Sequence, residues 1–153
     1  MLKKLPLPFS KVLFATLLCG AALQAAALEF RSIAEHGAVF YDAPGGKGKP
    51  LFAVSRGYPV EVLVGQKDWS RVRDQAGALA WVATKQLSAQ RNIVVVRDKA
   101  EVHATADSNS AIVTRAEKSV ILELLEQGKT GWIKVRHRDG AVGFVKVDEV
   151  WGV

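Results

Sequence analysis

The amino-acid sequence predicts an all-β protein made of two tandem, small, five-stranded β-barrels after an N-terminal signal peptide. Three observations support this prediction: a basic and then apolar N-terminus, an internal repeat of roughly sixty residues, and short segments of alternating hydrophobicity bounded by glycine turns. We divide the chain into a signal peptide at residues 1–27, a first repeat at 28–89 and a second repeat at 90–153.

The N-terminal segment predicts export. The stretch "MLKKLPLPFSK" carries three lysines and no acid, and it precedes the apolar run "VLFATLLCGAAL" and the small-residue stretch "QAAA". This order is typical of a secretory signal, here with cleavage after Ala27. We therefore expect secretion across the inner membrane, to the periplasm or cell envelope.

Two other interpretations of this segment stay open. An uncleaved signal would anchor the chain and would be its one contact with a membrane, although the apolar run is shorter than the roughly 20 residues of a spanning helix. Lipoprotein processing at Cys19 is disfavoured, because Leu18 stands where that signal needs a small residue.

Composition excludes several classes of function. Cys19 is the only cysteine, so the chain after residue 27 has neither a disulfide nor a thiol nucleophile. Three of the 21 Lys and Arg residues precede residue 28 and none of the 15 acids does, so the formal charge falls from +6 to +3. A charge of this size, spread over both halves, argues against a nucleic-acid partner.

The repeat organises everything after residue 27. The stretch "WSRVRDQAGALAWV" (69–82) returns 63 positions later as "WIKVRHRDGAVGFV" (132–145), and "AVFYDA" lies over "AEVHAT" at an offset of 62. One single-residue gap aligns roughly sixty positions, which indicates a duplication. A domain of that size without disulfides is marginally stable, which gives a physical reason for two copies to pack together.

The repeat also resolves an ambiguity between helix and strand. The segment "VILELLEQ" alone is compatible with a helical turn, but its counterpart "PVEVLVGQ" begins at Pro59 and alternates as a half-buried strand does. The other predicted strands come in pairs: "AVFYD" and "AEVHA", "LFAVS" and "AIVTR", "WSRVRD" and "WIKVRH", "ALAWV" and "AVGFV". Glycine-containing turns in "RDQAG" and "HRDG" predict tight hairpins. About five short strands per repeat indicate a small barrel or sandwich.

These phrases resemble the bacterial SH3-like domain. The first repeat matches through "YDAP", "SRGYPVEVL", "WSRVRDQAGALAWV" and "KQL", and the second through "KSVILEL", "WIKVRHRDGAVGFV" and "DEV". The resemblance covers nearly all of 29–153, twice over. It implies small five-stranded barrels of exported or envelope proteins, often beside cell-wall hydrolases and similar to peptidoglycan- or peptide-binding modules. The sequence departs from the family pattern in "AVFYD", which lacks an arginine, and no hydrolase domain accompanies the two repeats.

Strand parity identifies the first candidate ligand contact. Trp69, Arg71 and Arg73 share one face of a predicted strand, while Val72 points to the core. An outward indole beside a guanidinium offers a stacking surface for a ligand. The alternative is that Trp69 only caps the open end of the barrel and Arg73 covers it.

The resemblance implies further site residues around the loop "APGGKGKP" (43–50). By that resemblance Tyr41, Tyr58 and Trp69 line a groove for extended or proline-rich peptides. The predicted ligand-binding set is Tyr41, Asp42, Tyr58, Trp69 and Arg73. The counterparts of the three aromatics in the second repeat are His103, Val120 and Trp132, a poorer set, so we predict that repeat 1 binds and repeat 2 braces. The alternative is that both tyrosines are ordinary half-buried strand residues.

Nothing in the sequence predicts catalysis, a metal or a cofactor. The three histidines, His36, His103 and His137, lack the spacing of metal ligands, and there is no G-x-S-x-G motif. The loop "GGKGK" lacks the Ser or Thr and the helix of a phosphate loop. The sequence therefore predicts a non-enzymatic binding or scaffold module of the cell envelope that recognises peptidoglycan or its peptide stems. Docking of an envelope protein or peptide is the alternative, and a purely structural barrel pair is a third.

Overall fold

The computed structural model describes residues 28–128 and 130–153, and the predicted signal peptide lies outside them. The described residues form fourteen β-strands and two 3₁₀ turns, with no α-helix among them. None of the described segments is a helix of the length and apolarity that crossing a membrane requires.

Repeat 1 is one antiparallel sheet of seven strands. In chain order they are β1 (Glu29–Ile33), β2 (Ala38–Tyr41), β3 (Pro50–Val54), β4 (Pro59–Gln66), β5 (Trp69–Arg73), β6 (Leu79–Ala83) and β7 (Leu87–Ser88), with a 3₁₀ turn at Thr84–Gln86. Their spatial order is β3-β2-β6-β5-β4-β1-β7.

Repeat 2 copies this arrangement strand for strand. Its members are β8 (Asn92–Val95), β9 (Lys99–His103), β10 (Ile112–Glu117), β11 (Ile121–Glu126), β12 (Trp132–Arg136), β13 (Val142–Lys146) and β14 (Val150–Trp151), with a 3₁₀ turn at Val147–Glu149. The order β10-β9-β13-β12-β11-β8-β14 is the same as in repeat 1. The predicted all-β fold of two tandem units is confirmed.

All five strands predicted in each repeat are present, and each sheet gains two more. The added strands of repeat 1 are β1, which pairs with β4, and β7, which pairs with β1. A two-residue strand such as β7 is too short to leave a period in the sequence. Its place in the sheet is set by its pairing with β1.

Each sheet curls around its own apolar core. The core of repeat 1 consists of Ile33, Ala38, Phe40, Val60, Val72, Ala80 and Val82. The core of repeat 2 consists of Ile93, Val95, Ala100, Val102, Ala116, Leu122, Ile133, Val135, Val145 and Val150. Val72 and Val135 have no exposed surface, as strand parity predicts.

The two repeats touch through a small mixed contact. Phe30 of β1 packs edge-on against Trp151 of β14, with 5.1 Å between the ring centroids. The guanidinium of Arg91 lies 5.5 Å from the centroid of Phe30. The Nδ2 atom of Asn92 donates to the carbonyl oxygen of Gly57 over 2.9 Å. Aromatic packing thus joins the end of repeat 2 to the first strand of repeat 1, and a directed hydrogen bond joins the first strand of repeat 2 to the turn before β4.

Candidate functional site

Trp69 lies at one end of β5, the middle strand in the sheet of repeat 1. It is the first residue of β5, and its Cα pairs with that of Gln66 on β4 and that of Ala83 on β6. Tyr41 meets its ring edge-on, with 5.5 Å between centroids and an interplanar angle of 84°. This T-shaped contact fixes the half-buried indole and leaves part of it accessible.

A depression lies on each side of this indole. One, of about 370 Å³, is lined by Asp68, Trp69, Ala83 and Lys85. The other, of about 180 Å³, is lined by Pro44, Gly45, Gln66, Lys67 and Trp69. Trp69 therefore forms a ridge between two shallow hollows, and we call the ridge and both hollows the Trp69 face.

Asp42 shapes the loop that borders this face. Its Oδ1 accepts a hydrogen bond of 2.7 Å from the backbone N–H of Lys49, and its own backbone N–H donates to the Lys49 carbonyl. Gly48 lies so close beneath the loop that a Cβ there would collide with the carbonyl oxygen of Ala43. The side chain of Asp42, a predicted ligand contact, thus closes the loop that brings Pro44 next to the indole of Trp69.

Tyr58 lies away from the other two aromatics. It immediately precedes β4, whereas Trp69 pairs with the last residue of that strand, so roughly 25 Å of strand separates them. Tyr58 packs against the core of repeat 1. Burial, reinforced by the charge of Asp74, raises its pKa above the ordinary value. The structure brings Tyr41 and Trp69 together, but it does not form the expected groove of three aromatics.

Arg73 is engaged in an ion pair at the same far end. Its Nε donates to Oε2 of Glu61 over 2.8 Å, and the Glu61 side chain is only 6% exposed. The equivalent pair in repeat 2, Arg136 with Glu123, has an N–O distance of 2.9 Å, but that glutamate is 34% exposed. Arg73 thus compensates a buried carboxylate.

Replacing Arg73 with methionine is expected to lower the free energy of unfolding of repeat 1 by about 2 kcal/mol, because Glu61 would stay buried without its cation. The half-exposed position of Arg73 keeps this cost below that of a fully buried pair. Urea unfolding measures it. Arg136→Met is the matched control and is expected to cost under about 0.5 kcal/mol, since water reaches Glu123. Equal losses in the two variants would contradict this explanation.

Repeat 2 has an equivalent pair of rings, and a lysine lies over its tryptophan. His103 meets Trp132 edge-on, with 5.3 Å between the ring centroids, at the position of Tyr41 and Trp69. The Nζ atom of Lys146 lies 5.5 Å from the centroid of Trp132. Lys146 is the cross-strand partner of Trp132, as Ala83 is of Trp69.

One aligned position thus distinguishes the two tryptophans. Only a methyl group, at residue 83, lies beside the indole of repeat 1, whereas the ammonium group of residue 146 lies over the indole of repeat 2. Sequence reasoning missed Lys146, although extending the repeat alignment by one position beyond Val82 and Val145 would have found it. The part of the chain that the structure describes contains no cluster of His, Cys, Asp and Glu side chains able to hold a metal ion.

Two solved structures are similar to this chain at low sequence identity. NlpC2 from Trichomonas vaginalis is 14% identical, with a TM-score of 0.38, over 82% of this chain and 48% of that protein. An NlpC/P60 family protein from Bacillus cereus is also 14% identical, with a TM-score of 0.38, over 80% of this chain and 56% of that protein. The chain therefore spans about half the length of these proteins. Among curated proteins, no sequence matches significantly.

One family model matches the chain twice, once in each repeat. The model of the family described as "Bacterial SH3 domain" matches residues 34–89 and again residues 93–152. These two matches cover most of the chain, and each falls within one of the two seven-stranded sheets, with β1 outside the first match. The chain belongs to the bacterial SH3 domain family, of which it carries two consecutive copies.

Proposed function

We propose that this protein is an exported, non-enzymatic binding module of the bacterial cell envelope, and that the Trp69 face of repeat 1 recognises the peptide stems of peptidoglycan. One observation carries the proposal: two hollows adjoin the indole of Trp69, whereas the Nζ atom of Lys146 lies over its counterpart Trp132. The predicted signal peptide and the membership in the bacterial SH3 family support the location in the envelope.

The chemistry of the Trp69 face suits a short charged peptide. An indole provides a large apolar surface for the stems of side chains and for peptide planes. Lys67 and Lys85 flank it on opposite sides, and Asp68 lies next to it. Peptide stems carry free carboxylates and amines, so both signs of charge find a partner beside one aromatic platform.

Trp69→Ala is expected to weaken binding of residues 28–153 to protein-free peptidoglycan sacculi about tenfold or more, because an indole at the centre of a site carries much of the binding energy. Co-sedimentation at low and moderate salt measures this. Trp132→Ala is the matched control, since it removes the covered indole of repeat 2, and it is expected to sediment like the wild type. Equal sedimentation of Trp69→Ala and the wild type would contradict the proposal, as would binding that moderate salt abolishes in all forms.

A substitution at residue 83 tests the Trp69 face without removing the indole. Ala83→Lys places on Trp69 the cover that Lys146 provides on Trp132, and the fold accepts lysine at that position in repeat 2. We expect its binding to fall as for Trp69→Ala while its melting temperature stays near that of the wild type.

Docking of an envelope protein is the second candidate function, and the edge of the sheet favours it. Strand β3 is the outermost strand beside β2, and its Leu51 and Phe52 are 47% and 41% exposed. An exposed apolar edge strand is a template for strand addition by a partner. In that case Leu51→Lys would abolish complex formation with the partner and leave sedimentation with sacculi unchanged.

A further inference from the structure

A second cavity system lies between the two repeats, at the end of β4 opposite the Trp69 face. Its smaller lobe, of about 310 Å³, is lined by Ser32, Ile33, Ala34, His36, Arg56, Gly57, Ser88, Gln90 and Asn92. Its larger lobe, of about 600 Å³, is lined by His36, Arg56, Ser119, Val120, Ile121 and Arg138. The lobes share His36 and Arg56, so they form one cleft to which both repeats contribute, and we call it the inter-repeat cleft.

Positive charge dominates the inter-repeat cleft. Arg56 enters from the turn before β4 of repeat 1, and Arg138 from the hairpin between β12 and β13 of repeat 2. Within residues 28–128 and 130–153, neither arginine forms an ion pair, in contrast to the paired Arg73 and Arg136. Neither lobe has a carboxylate in its lining. Two uncompensated guanidinium groups around one concave space concentrate positive potential there.

The smaller lobe also contains an unsatisfied polar atom. Ser32 is 1% exposed, and its Oγ has no hydrogen-bond partner among the described residues. Buried hydroxyl groups are nearly always paired, because leaving one unpaired costs free energy. The hydroxyl lies in the wall of the lobe and not at its surface, so a ligand would reach it only after a small shift of the side chain.

Ser119 is the third unusual feature. Its φ is +71°, in the left-handed region that L side chains rarely adopt. The aligned residue of repeat 1 is Gly57, with φ +84°, so glycine satisfies the same backbone without strain. Repeat 2 keeps a strained serine where it lines the larger lobe, and strain of this kind is often retained at ligand sites.

We propose that the inter-repeat cleft binds a small, soluble phosphate ester, with the phosphate between Arg56 and Arg138 and the polar body of the ester in the smaller lobe. Two guanidinium charges match a phosphate dianion, and their planar forks suit its oxygens. Ser119 adds a hydroxyl donor in the larger lobe. The position between two barrels favours a ligand in solution over one held in a membrane surface. This site is independent of the Trp69 face and does not rest on its proposed function.

Isothermal titration of residues 28–153 with glycerol 3-phosphate tests the proposal, with glycerol as the uncharged control. We expect saturable binding with a Kd of about 1 mM or tighter, and no binding of glycerol. Arg56→Gln and Arg138→Gln, one from each repeat, are each expected to weaken binding about tenfold, the loss of one charge-assisted contact. Arg71→Gln removes the same charge from an exposed position on β5 and is expected to change the Kd less than about twofold.

Ser119→Gly separates a binding role from a structural one. This variant relieves the left-handed strain, so its melting temperature is expected to equal or exceed that of the wild type while glycerol 3-phosphate binds more weakly. The proposal is overturned if glycerol 3-phosphate does not bind, or if the Arg71 variant loses as much affinity as the two cleft variants.

Discussion

Replacing Phe40 with alanine is expected to lower the melting temperature of repeat 1 strongly and to leave that of repeat 2 unchanged. Phe40 is the largest fully buried side chain of the chain's described part, 1% exposed, and it packs on Phe52 with 5.2 Å between the ring centroids. Truncating a buried phenylalanine costs about 4 kcal/mol through lost transfer energy and the cavity left behind. A domain of sixty residues has roughly 3–9 kcal/mol of stability in total, so this one change removes much of it.

Scanning calorimetry measures the effect as a separate, lower transition for repeat 1. Val102 occupies the aligned position of repeat 2 with a smaller side chain, so Val102→Ala is the matched control and is expected to cost about 2 kcal/mol in the other repeat. A single transition that shifts as a whole in both variants would contradict independent cores and would show that the inter-repeat contact makes folding cooperative.

Gly143→Ala is expected to destabilise repeat 2 by about 3 kcal/mol. A Cβ at this position would lie 2.5 Å from the carbonyl oxygen of His103 and 2.8 Å from Cγ1 of Val102. The carbonyl belongs to the backbone of β9, which pairs with β13 at this point, so it cannot move without disturbing the ladder. The buried side of repeat 2 therefore requires glycine here.

The aligned residue of repeat 1 provides the control, because Ala80 occupies this position and is 4% exposed. Ala80→Gly is expected to cost only about 1 kcal/mol, from the greater freedom of glycine in the unfolded chain. Urea denaturation, followed separately for each repeat, measures the free energy of unfolding of both variants. A loss below about 1 kcal/mol for Gly143→Ala would mean that β9 and β13 separate more easily than their close approach indicates.

Local patterns were sufficient to predict ten of the fourteen strands in the described part of the chain, although β1, β8 and β14, which also carry core residues, were missed. Alternation placed Val72 and Val135 inside, and the repeat made "VILELLEQ" a strand because its partner begins with Pro59. These inferences succeeded because burial on one face of a strand has a period of two residues. A period of two is visible without knowing which strands are neighbours.

The candidate site was predicted less completely, because it depends on register. Tyr41 and Trp69 meet as expected, but Tyr58 is at the start of β4 and Trp69 is beside its end. No local pattern predicts at which end of a hairpin a side chain lies, because that position depends on the register between segments distant in sequence. The contact of Phe30 with Trp151 is beyond sequence reasoning for the same reason.

The difference between Ala83 and Lys146 has a consequence for valency. If each chain presents one open indole and one covered indole, it engages a polymeric ligand at a single point, although its frame contains two equivalent faces. Such a molecule dissociates at the rate of one contact and gains no avidity from the repeating epitopes of a polymer. Uncovering Trp132 through Lys146→Ala would make the chain a two-point binder. Its residence time on a polymer would then depend on the spacing between epitopes rather than on the affinity of one face alone.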